Sequence, residues 1–267
     1  MRSQDEVLVK TAMKRAIGFL GLFFLFFISI EAHQPNSQSR QMFAYFPLNE
    51  GGGSTTINNV TGRPHGTLEG GPTWIDGVHS NALSQDGVDS GIDLTDQDEY
   101  SPGFNDVTMF IAIRTTAPGA SVTNPVITKG AGDQFEFRFA APGDISGGVA
   151  GRLSIVTYNL AGSINPIDLK GSTTINDGQW HLIGFSHQKS ANGALVTFWV
   201  DGKFDVQGAQ NATLMGNGTS ELKSGSGAWS GAVHGSIEDF MVYNRILSRA
   251  EVKYIYLLWK ARGFSGN

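Results

Sequence analysis

The densest group of carboxylates in the chain lies in a glycine-rich stretch that begins at residue 86. Asp86, Asp89 and Asp93 lie close together, and three further acidic residues follow by residue 99. Carboxylate and backbone carbonyl oxygens on irregular loops are the ligands that Ca²⁺ takes in proteins. The spacing suggests calcium as a cofactor at these three residues. The alternative is a solvated acidic loop whose aspartates cap turns, because no Asp-x-Asp-x-Asp-Gly sequence is present.

Two tryptophans stand where they could stack on sugars. Trp74 lies on a predicted loop, and Trp229 lies in the glycine-rich segment 225–231. Flat aromatic faces bury the C–H patches of sugars, while amides and carboxylates bond to the hydroxyl groups. We predict ligand binding at these two residues, with a role as lids over the core as the alternative. Trp180 and Trp199 lie in strand-like runs and are predicted to be core residues.

Residues for catalysis are not arranged in a recognisable pattern. Glu238 and Asp239 are adjacent, and adjacent residues of a regular strand face opposite sides, so they are not expected to flank one glycosidic bond. Either carboxylate is expected to bond to a loop backbone instead. The sequence has no Cys and no Gly-x-Ser-x-Gly elbow, and no histidine pair has zinc spacing. His181 is predicted to pack beside Trp180, and we expect no catalytic residue.

The N-terminal region is typical of an export signal. Residues 16–30 are apolar and uncharged, basic residues precede them, and Ala32 offers a small residue for cleavage. The run matches the apolar part of a signal peptide and is shorter than the ~20 residues of a membrane-spanning helix. Residues 1–32 are therefore predicted to be a cleaved signal peptide or, alternatively, an uncleaved membrane anchor. Either places the rest of the chain outside the cytoplasm, and residues 33–41 are predicted to be a polar linker.

The composition favours an extracellular strand-and-turn protein. The 267 residues include 35 Gly, no Cys and a net charge of −5, with no basic cluster beyond the N-terminal region. The lack of a basic patch argues against nucleic acid as a partner. Three Asn-x-Thr sequons begin at Asn59, Asn211 and Asn217. They are predicted glycosylation sites if the exported protein is eukaryotic, and chance matches otherwise.

Strand signals recur along the chain, and one helix signal comes at its end. Residues 135–139 alternate phenylalanine with charged residues, the pattern of a half-buried strand. Asp201-Gly202 predicts a hairpin turn, and Ser248 with Glu251 forms a capping box before a helical apolar face at residues 252–259. Many strands and one late helix predict an all-β fold of two stacked antiparallel sheets.

Four segments in order resemble the laminin-G-like, concanavalin-A-like jelly-roll domains of the lectin and glucanase superfamily. They are Ala82–Leu94 (ALSQDGVDSGIDL), Asp177–Phe185 (DGQWHLIGF), Phe198–Lys203 (FWVDGK) and Gly235–Val252 (GSIEDFMVYNRILSRAEV). Gln85 departs from the pattern, since the family usually has an aromatic residue there. The resemblance implies a two-sheet antiparallel jelly-roll sandwich with one short C-terminal helix over residues 42–262. Its members bind glycans or protein surfaces, and some hold calcium.

Together these features predict an exported, non-catalytic domain that recognises carbohydrate or an extracellular partner through loops at one edge of a sandwich. A structural subunit of an extracellular or membrane-anchored assembly is the alternative. A glycan-cleaving enzyme comes third. Contact with a membrane is expected only through the N-terminal segment, if it is not cleaved. Since one fold serves many functions, the choice depends on the site.

Overall fold

The computed structural model describes residues 42–101, 105–116, 124–130, 134–140, 148–158, 164–190, 193–211, 220–227 and 231–262. The predicted signal or anchor, residues 1–32, and the linker, residues 33–41, lie outside this part of the chain. In the described residues, no helix has both the length and the apolar character needed to span a membrane.

Strands and one α-helix make up this part of the chain. The first nine strands are β1 (Met42–Phe46), β2 (Thr55–Thr56), β3 (Gly66–Glu69), β4 (Thr73–Asp76), β5 (Asn81–Asp86), β6 (Gly91–Asp93), β7 (Val107–Arg114), β8 (Asn124–Lys129) and β9 (Phe135–Phe139). The others are β10 (Arg152–Tyr158), β11 (Ile164–Thr174), β12 (Trp180–Ser190), β13 (Gly193–Val200), β14 (Lys203–Asn211), β15 (Leu222–Ser224), β16 (Ser226–Gly227), β17 (Gly231–Ala232) and β18 (His234–Tyr243). Helix α1 (Arg249–Arg262) follows.

Two large antiparallel sheets form a sandwich, which confirms the predicted all-β class. The first sheet has the order β14-β13-β12-β7-β18-β5-β4, with β1 also on β18, and the second has the order β11-β10-β9-β8-β15-β6-β3-β2. Aromatic side chains from both sheets fill the space between them. Phe137 of the second sheet lies 5.1 Å from Phe185 and 5.3 Å from Phe198 of the first, measured between ring centroids. Burial of these large side chains supplies much of the driving force for the fold.

Strand β18 lies in the middle of the first sheet and has different neighbours along its two halves. One edge pairs with β7, while the other pairs with β5 at residues 234–237 and with β1 at residues 240–243. The register shifts between Glu238 and Met241, where Asp239 adopts a left-handed conformation with φ of 50°. This β-bulge lies where β5 gives way to β1.

Helix α1 covers part of the outer face of the first sheet. Its predicted capping box is confirmed, since the Ser248 N–H donates to Glu251 Oε2 at 2.8 Å and the Glu251 N–H donates to Ser248 Oγ at 3.3 Å. Its predicted apolar face is also confirmed, because Val252 and Trp259 are buried against outer-face residues of the sheet such as Leu182. The outer face is thus apolar beneath the helix.

Of two local predictions, one for a hairpin turn and one for the burial of β9, the first is confirmed and the second is wrong. The hairpin at Asp201-Gly202 is confirmed, with φ of 50° and 72° at the two residues. The prediction that β9 is half buried is wrong, since Glu136 and Arg138 are buried like the three phenylalanines with which they alternate. Their side chains form an ion pair at 3.0 Å, which compensates for their removal from water.

Candidate functional site

A polar cavity lies at the end of the first sheet where β5 and β7 finish and β18 begins. It encloses about 380 Å³, which is within the range of small-molecule pockets. We call it the rim cavity. Its described lining consists of side chains and backbone from these strands and from the turn before β12: Ser84, Gln85, Arg114, Thr115, Thr116, Gly178, His234, Gly235 and Ser236.

One row of side chains forms the cavity wall. These side chains come from paired residues of neighbouring strands, on the outer face of the first sheet. Arg114 pairs in register with Trp180 on one side and with Ser236 on the other, and Ser236 pairs with Ser84. Paired residues of neighbouring strands share a face, so the four side chains stand side by side. The Arg114 guanidinium lies over the Trp180 ring, 5.2 Å from its centroid, which is the geometry of a cation–π contact. Trp180 is only partly buried, whereas Trp199 is buried as predicted.

Polar groups in the cavity keep unused bonding capacity. The side-chain oxygen of Gln85 is buried and has no hydrogen-bond partner among the described residues, while its nitrogen donates a long bond of 3.4 Å to the Ser224 carbonyl. The Arg114 side chain has one described polar contact, a 3.5 Å bond to Ser236 Oγ. A buried acceptor without a partner costs about 1–3 kcal/mol. The Arg114 donors are therefore available to a ligand, whereas the Gln85 side chain is buried between the two sheets, toward Ser224.

The tryptophans predicted to bind ligand are separated from this cavity or lie outside the described residues. Trp74 is not on a loop but in β4, opposite Leu83 of β5, and its ring packs against the core between the sheets. It is partly buried, with an indole nitrogen that has no hydrogen-bond partner within the described part of the chain. Trp229 lies outside that part. Ligand binding by both residues stays a prediction.

The aspartates predicted to bind calcium have local partners. Asp86 Oδ1 accepts bonds from the Val88 N–H at 2.9 Å and from the Ser90 hydroxyl at 2.7 Å. These bonds, led by the Ser90 hydroxyl, lower the pKa of Asp86 to about 2. Asp93 lies 3.4 Å from the Lys223 ammonium, and Asp89 is exposed. The three are not in the metal-compatible group found among the described residues, and calcium stays a prediction.

One predicted sequon can be placed on the surface. Asn59 is exposed beside β2, and its backbone N–H donates to the Tyr45 carbonyl at 2.8 Å. Asn211 is the last residue of β14, and Asn217 lies outside the described residues. Glycosylation at all three stays a prediction.

A buried charged cluster lies farther along β18, below the end of α1. We use that name for His79, Glu238 and Asp239, whose ligand-type atoms all lie within 4.8 Å of one another. His79 Nδ1 is 2.9 Å from Asp239 Oδ2 and 3.1 Å from Glu238 Oε1. Its Nε2 bonds to the backbone carbonyl of Trp259 in α1. Tyr45 donates its hydroxyl to the other Asp239 oxygen.

These contacts fix the protonation of His79. Nε2 faces a carbonyl oxygen and Nδ1 faces two carboxylates, so both nitrogens must donate a proton, as in an imidazolium. Burial opposes this charge, but the bonds to Asp239, Glu238 and the Trp259 carbonyl outweigh burial and raise the pKa of His79 to about 10. The three side chains could in principle hold a metal ion. As arranged, they form a complete salt bridge that joins α1 to the sheet.

The sequence argument that separated Glu238 from Asp239 is wrong because β18 is not regular there. The bulge at Asp239 turns both carboxylates toward His79. The expected bond to a loop backbone is confirmed, since the Val78 N–H donates to Glu238 Oε2 at 2.8 Å. Gly77 permits this approach, because a Cβ at that residue would lie 2.3 Å from the same oxygen.

His181 is also an ionic residue rather than a packing residue. Its Nδ1 lies 2.8 Å from Asp201 and its Nε2 lies 3.1 Å from Asp177. The bond to Asp201 is the main cause that raises the pKa of His181. The histidine thus links the turn before β12 to the hairpin after β13, and the prediction that it packs beside Trp180 is corrected.

Several solved structures share this sandwich. Domain 4 of AbnA, a GH43 extracellular arabinanase from Geobacillus stearothermophilus solved with arabinotriose, is 18% identical with a TM-score of 0.59, covering 81% of this chain and 98% of its own. The binding domain of Paraclostridial Mosquitocidal Protein 1 is 14% identical with a TM-score of 0.64, covering 82% and 52%. The binding domain of botulinum neurotoxin DC, solved with rat synaptotagmin II, is 10% identical with a TM-score of 0.59, covering 81% and 51%.

These likenesses concern the fold alone, and this chain spans about half the length of the toxin binding domains. No curated protein sequence matches it at a significant level. A sequence model of the family described as the concanavalin A-like lectin/glucanases superfamily matches residues 86–253, which is more than half of the chain. The match runs from the acidic turn after β5 into α1 and includes most of both sites. The chain is therefore a member of the concanavalin A-like lectin/glucanase superfamily.

Proposed function

We propose that this protein is an exported, non-catalytic binding domain that recognises carbohydrate or an extracellular partner through the rim cavity. The observation that carries the proposal is the lining of that cavity. It combines a guanidinium held on an aromatic ring with the hydroxyls of Ser84 and Ser236. Polar groups that converge in a concave site bond to sugar hydroxyls with defined geometry.

Solved relatives of the fold support this class of ligand. The arabinanase domain was solved with arabinotriose, and a botulinum neurotoxin DC binding domain was solved with SialylT. The complex with synaptotagmin II supports a protein partner as the second possibility for such a fold. Each ligand belongs to that protein, and the lining described above is what extends the idea to this chain.

The positions of the carboxylates support a binding role over glycan cleavage. A retaining glycosidase needs two carboxyl groups ~5 Å apart across a bound sugar. Glu238 and Asp239 lie close enough together, but their side chains are only 1% and 5% exposed and both contact His79. A sugar cannot pass between them. The described lining of the rim cavity contains no carboxylate.

The rim cavity can be tested by filling it. Ser84→Trp puts a large side chain into the cavity from the outer face of β5, and Ser54→Trp makes the same change on an exposed loop as a matched control. On a glycan array and by calorimetry with the best ligand, we expect Ser84→Trp to weaken binding at least ~10-fold and Ser54→Trp to leave it unchanged. Equal binding by both folded variants and the parent would remove the cavity from the proposal.

The remaining predicted sites are part of the proposal and have separate tests. Trp74→Ala, with folding checked by circular dichroism, tests stacking at that ring, and Trp229→Ala tests the second platform. Calcium at Asp86, Asp89 and Asp93 predicts a melting temperature that falls with chelator and recovers with Ca²⁺, by ligand linkage. No shift in melting temperature would remove calcium. N-terminal sequencing of the secreted protein decides between cleavage after Ala32 and an uncleaved anchor.

A structural role is the second candidate, and the outward face of α1 favours it. Tyr254, Leu257 and Leu258 are each at least 41% exposed on this helix. Neighbouring exposed apolar side chains mark protein contacts in many proteins. Light scattering over a range of concentrations tests self-assembly: a Leu257→Lys, Leu258→Lys variant should stay monomeric where the parent associates. A parent that is monomeric at all concentrations would count against self-assembly through this face.

A further inference from the structure

The cations whose contacts are described have either acidic or aromatic partners. Five of them lie within 4.0 Å of a carboxylate: Arg63 with Glu99, Lys129 with Asp96, Arg138 with Glu136, Lys223 with Glu69, and Arg245 with Glu251. Arg114 has no such partner in the part of the chain that the structure describes. Its guanidinium instead rests on Trp180 and makes one long bond to Ser236. Arg249 and Lys260 also lie over aromatic rings, but both are exposed on α1, whereas Arg114 lines the rim cavity.

The support under Arg114 restricts its orientation. The stem lies on β7 between Trp180 and Ser236, which are its partners in register on the two neighbouring strands. A guanidinium held against an aromatic ring keeps its N–H donors in a fixed plane. Such a plane matches the two oxygens of a carboxylate, and a paired contact of this kind is roughly twice as strong as a bond between neutral groups.

The rest of the described lining contains no group that competes with an anion. Ser84, Ser236 and Thr116 offer neutral hydroxyls, and no carboxylate lines the cavity. These hydroxyls suit the ring hydroxyls of a sugar, which donate and accept bonds. Anion and sugar are thus recognised by different parts of one lining.

Two carboxylates next to the cavity weaken the long-range electrostatic attraction between the cavity and an anion. Asp86 pairs in register with His234, and Asp177 precedes Gly178. The bond from the Ser90 hydroxyl lowers the pKa of Asp86, and the bond from the Gln179 N–H lowers the pKa of Asp177. Both therefore stay ionised at neutral pH. Binding of an anion then depends on direct contact with Arg114 rather than on the long-range field.

We infer that the rim cavity selects a sugar that carries a carboxylate, such as a uronic or sialic acid unit, with the carboxylate on Arg114 and the ring hydroxyls on Ser84 and Ser236. This inference rests on the proposed carbohydrate-binding function and adds the chemical class of the ligand. The guanidinium fork also fits two oxygens of a tetrahedral sulfate, so the sulfated probe in the test separates the two kinds of acidic sugar.

The test compares matched sugars by calorimetry. Oligogalacturonate is set against its methyl ester, sialyllactose against lactose, and a sulfated carrageenan oligosaccharide serves as the sulfate probe. We expect at least one acidic sugar to bind 10-fold or more tightly than its neutral match. Arg114→Gln should abolish the preference for the acidic sugar. Arg114→Lys should not restore this preference, because lysine keeps the positive charge but lacks the planar pair of N–H donors. Arg249→Gln, which removes an exposed arginine on α1, is the control and should bind like the parent.

The possible results separate this inference from the proposed function. Equal binding of acidic and neutral sugars, lost in Ser84→Trp, would overturn the inference and leave the cavity as a carbohydrate site. Preference for carrageenan over both acidic sugars, or full binding by Arg114→Lys, would overturn the carboxylate assignment. No binding of any sugar by the parent would overturn the inference together with the carbohydrate-binding function on which it rests.

Discussion

The rim cavity and the buried charged cluster lie on the same face of the same strand, yet they differ in how their polar groups are satisfied. Ser236 of the cavity is two residues from Glu238 of the cluster along β18. In the cluster, His79 contacts two carboxylates and a helix carbonyl, and α1 covers the group. In the cavity, Arg114 has no acidic partner among the described residues, and the Gln85 oxygen has no described partner at all.

The difference shows how one sheet face can serve both stability and recognition. Charged groups that are fully bonded to one another hold elements together, but they have no capacity left for a ligand. Groups that keep unused donors and acceptors cost stability unless a ligand completes them. The end of α1 marks the division: beneath the helix the charges of His79, Glu238 and Asp239 are paired, and beyond it Arg114 has no acidic partner among the described residues. Variants that remove charge from one region or the other test this division.

The largest effect is expected when the cation of the cluster is removed. His79→Ala leaves two buried carboxylates and the Trp259 carbonyl without their partner, and breaking a buried ion pair in this way costs about 3–5 kcal/mol. Urea unfolding monitored by tryptophan fluorescence measures the free energy of unfolding. His65→Ala removes an exposed histidine and should cost ~1 kcal/mol or less. Equal losses in the two variants would contradict the assigned role of His79.

The pH dependence of stability should reveal the contribution of the His79 charge without a substitution that changes the packing of the cluster. The pKa of His79 is raised to about 10, against 6.5 when it is unperturbed. The folded protein therefore holds the proton more tightly, and this stabilisation is fully present below about pH 6.5 and lost as the pH rises toward 10. The melting temperature of the parent should fall relative to that of His79→Gln over this interval. An NMR titration that places the pKa of His79 near 6.5 would contradict the charge assignment.

A smaller effect is expected at the other end of α1. Ser248→Ala removes the capping hydroxyl that accepts the Glu251 N–H, and loss of such a cap costs ~1 kcal/mol. Ser54→Ala, on an exposed loop, is the matched control. If Ser248→Ala matched His79→Ala in free energy of unfolding, the stability of the region would depend on the helix as a whole and not on its joined end.

The smallest effect on stability is expected in the open region. Arg114→Gln removes a charge that has no described ion pair, so the free energy of unfolding should change by no more than about 0.5 kcal/mol. Both Arg114→Gln and His79→Ala remove one positive charge from the same face of the sheet. A loss of more than about 2 kcal/mol in urea unfolding would show that Arg114 is structural, and it would remove the contrast between the two regions.

Local features were predictable from sequence where neighbouring residues determine them. The capping box at Ser248 and the turn at Asp201-Gly202 depend on residues within a few positions, and both are confirmed. The sandwich was predictable from the four family segments, because their order along the chain restricts the fold to one known class. The same reasoning failed at β9, because the ion pair that permits burial of Glu136 and Arg138 depends on the tertiary environment.

Neither site could be assembled from the sequence. Arg114 and Trp180 meet only because β7 and β12 are neighbours in register, and they belong to segments far apart in the chain. The cluster needs a bulge at Asp239, which has a left-handed φ. No glycine or Asn-Gly pair marks this position in the sequence, so the bulge could not be predicted. A usable hint was present in Gln85, a polar residue where the family usually has an aromatic one, since it lies in the cavity wall.

The position of β18 has a consequence for the order in which the protein folds. The strand is the last of those described, yet it supplies partners to β1, β5 and β7, including the pair Ala44 and Val242. Contacts between distant parts of a chain slow folding, because the intervening loop must close first. The first sheet cannot close while β18 is still inside the ribosome. We therefore expect the first sheet to form only after β18 has emerged from the ribosome, so that the earlier strands wait unpaired for their central partner.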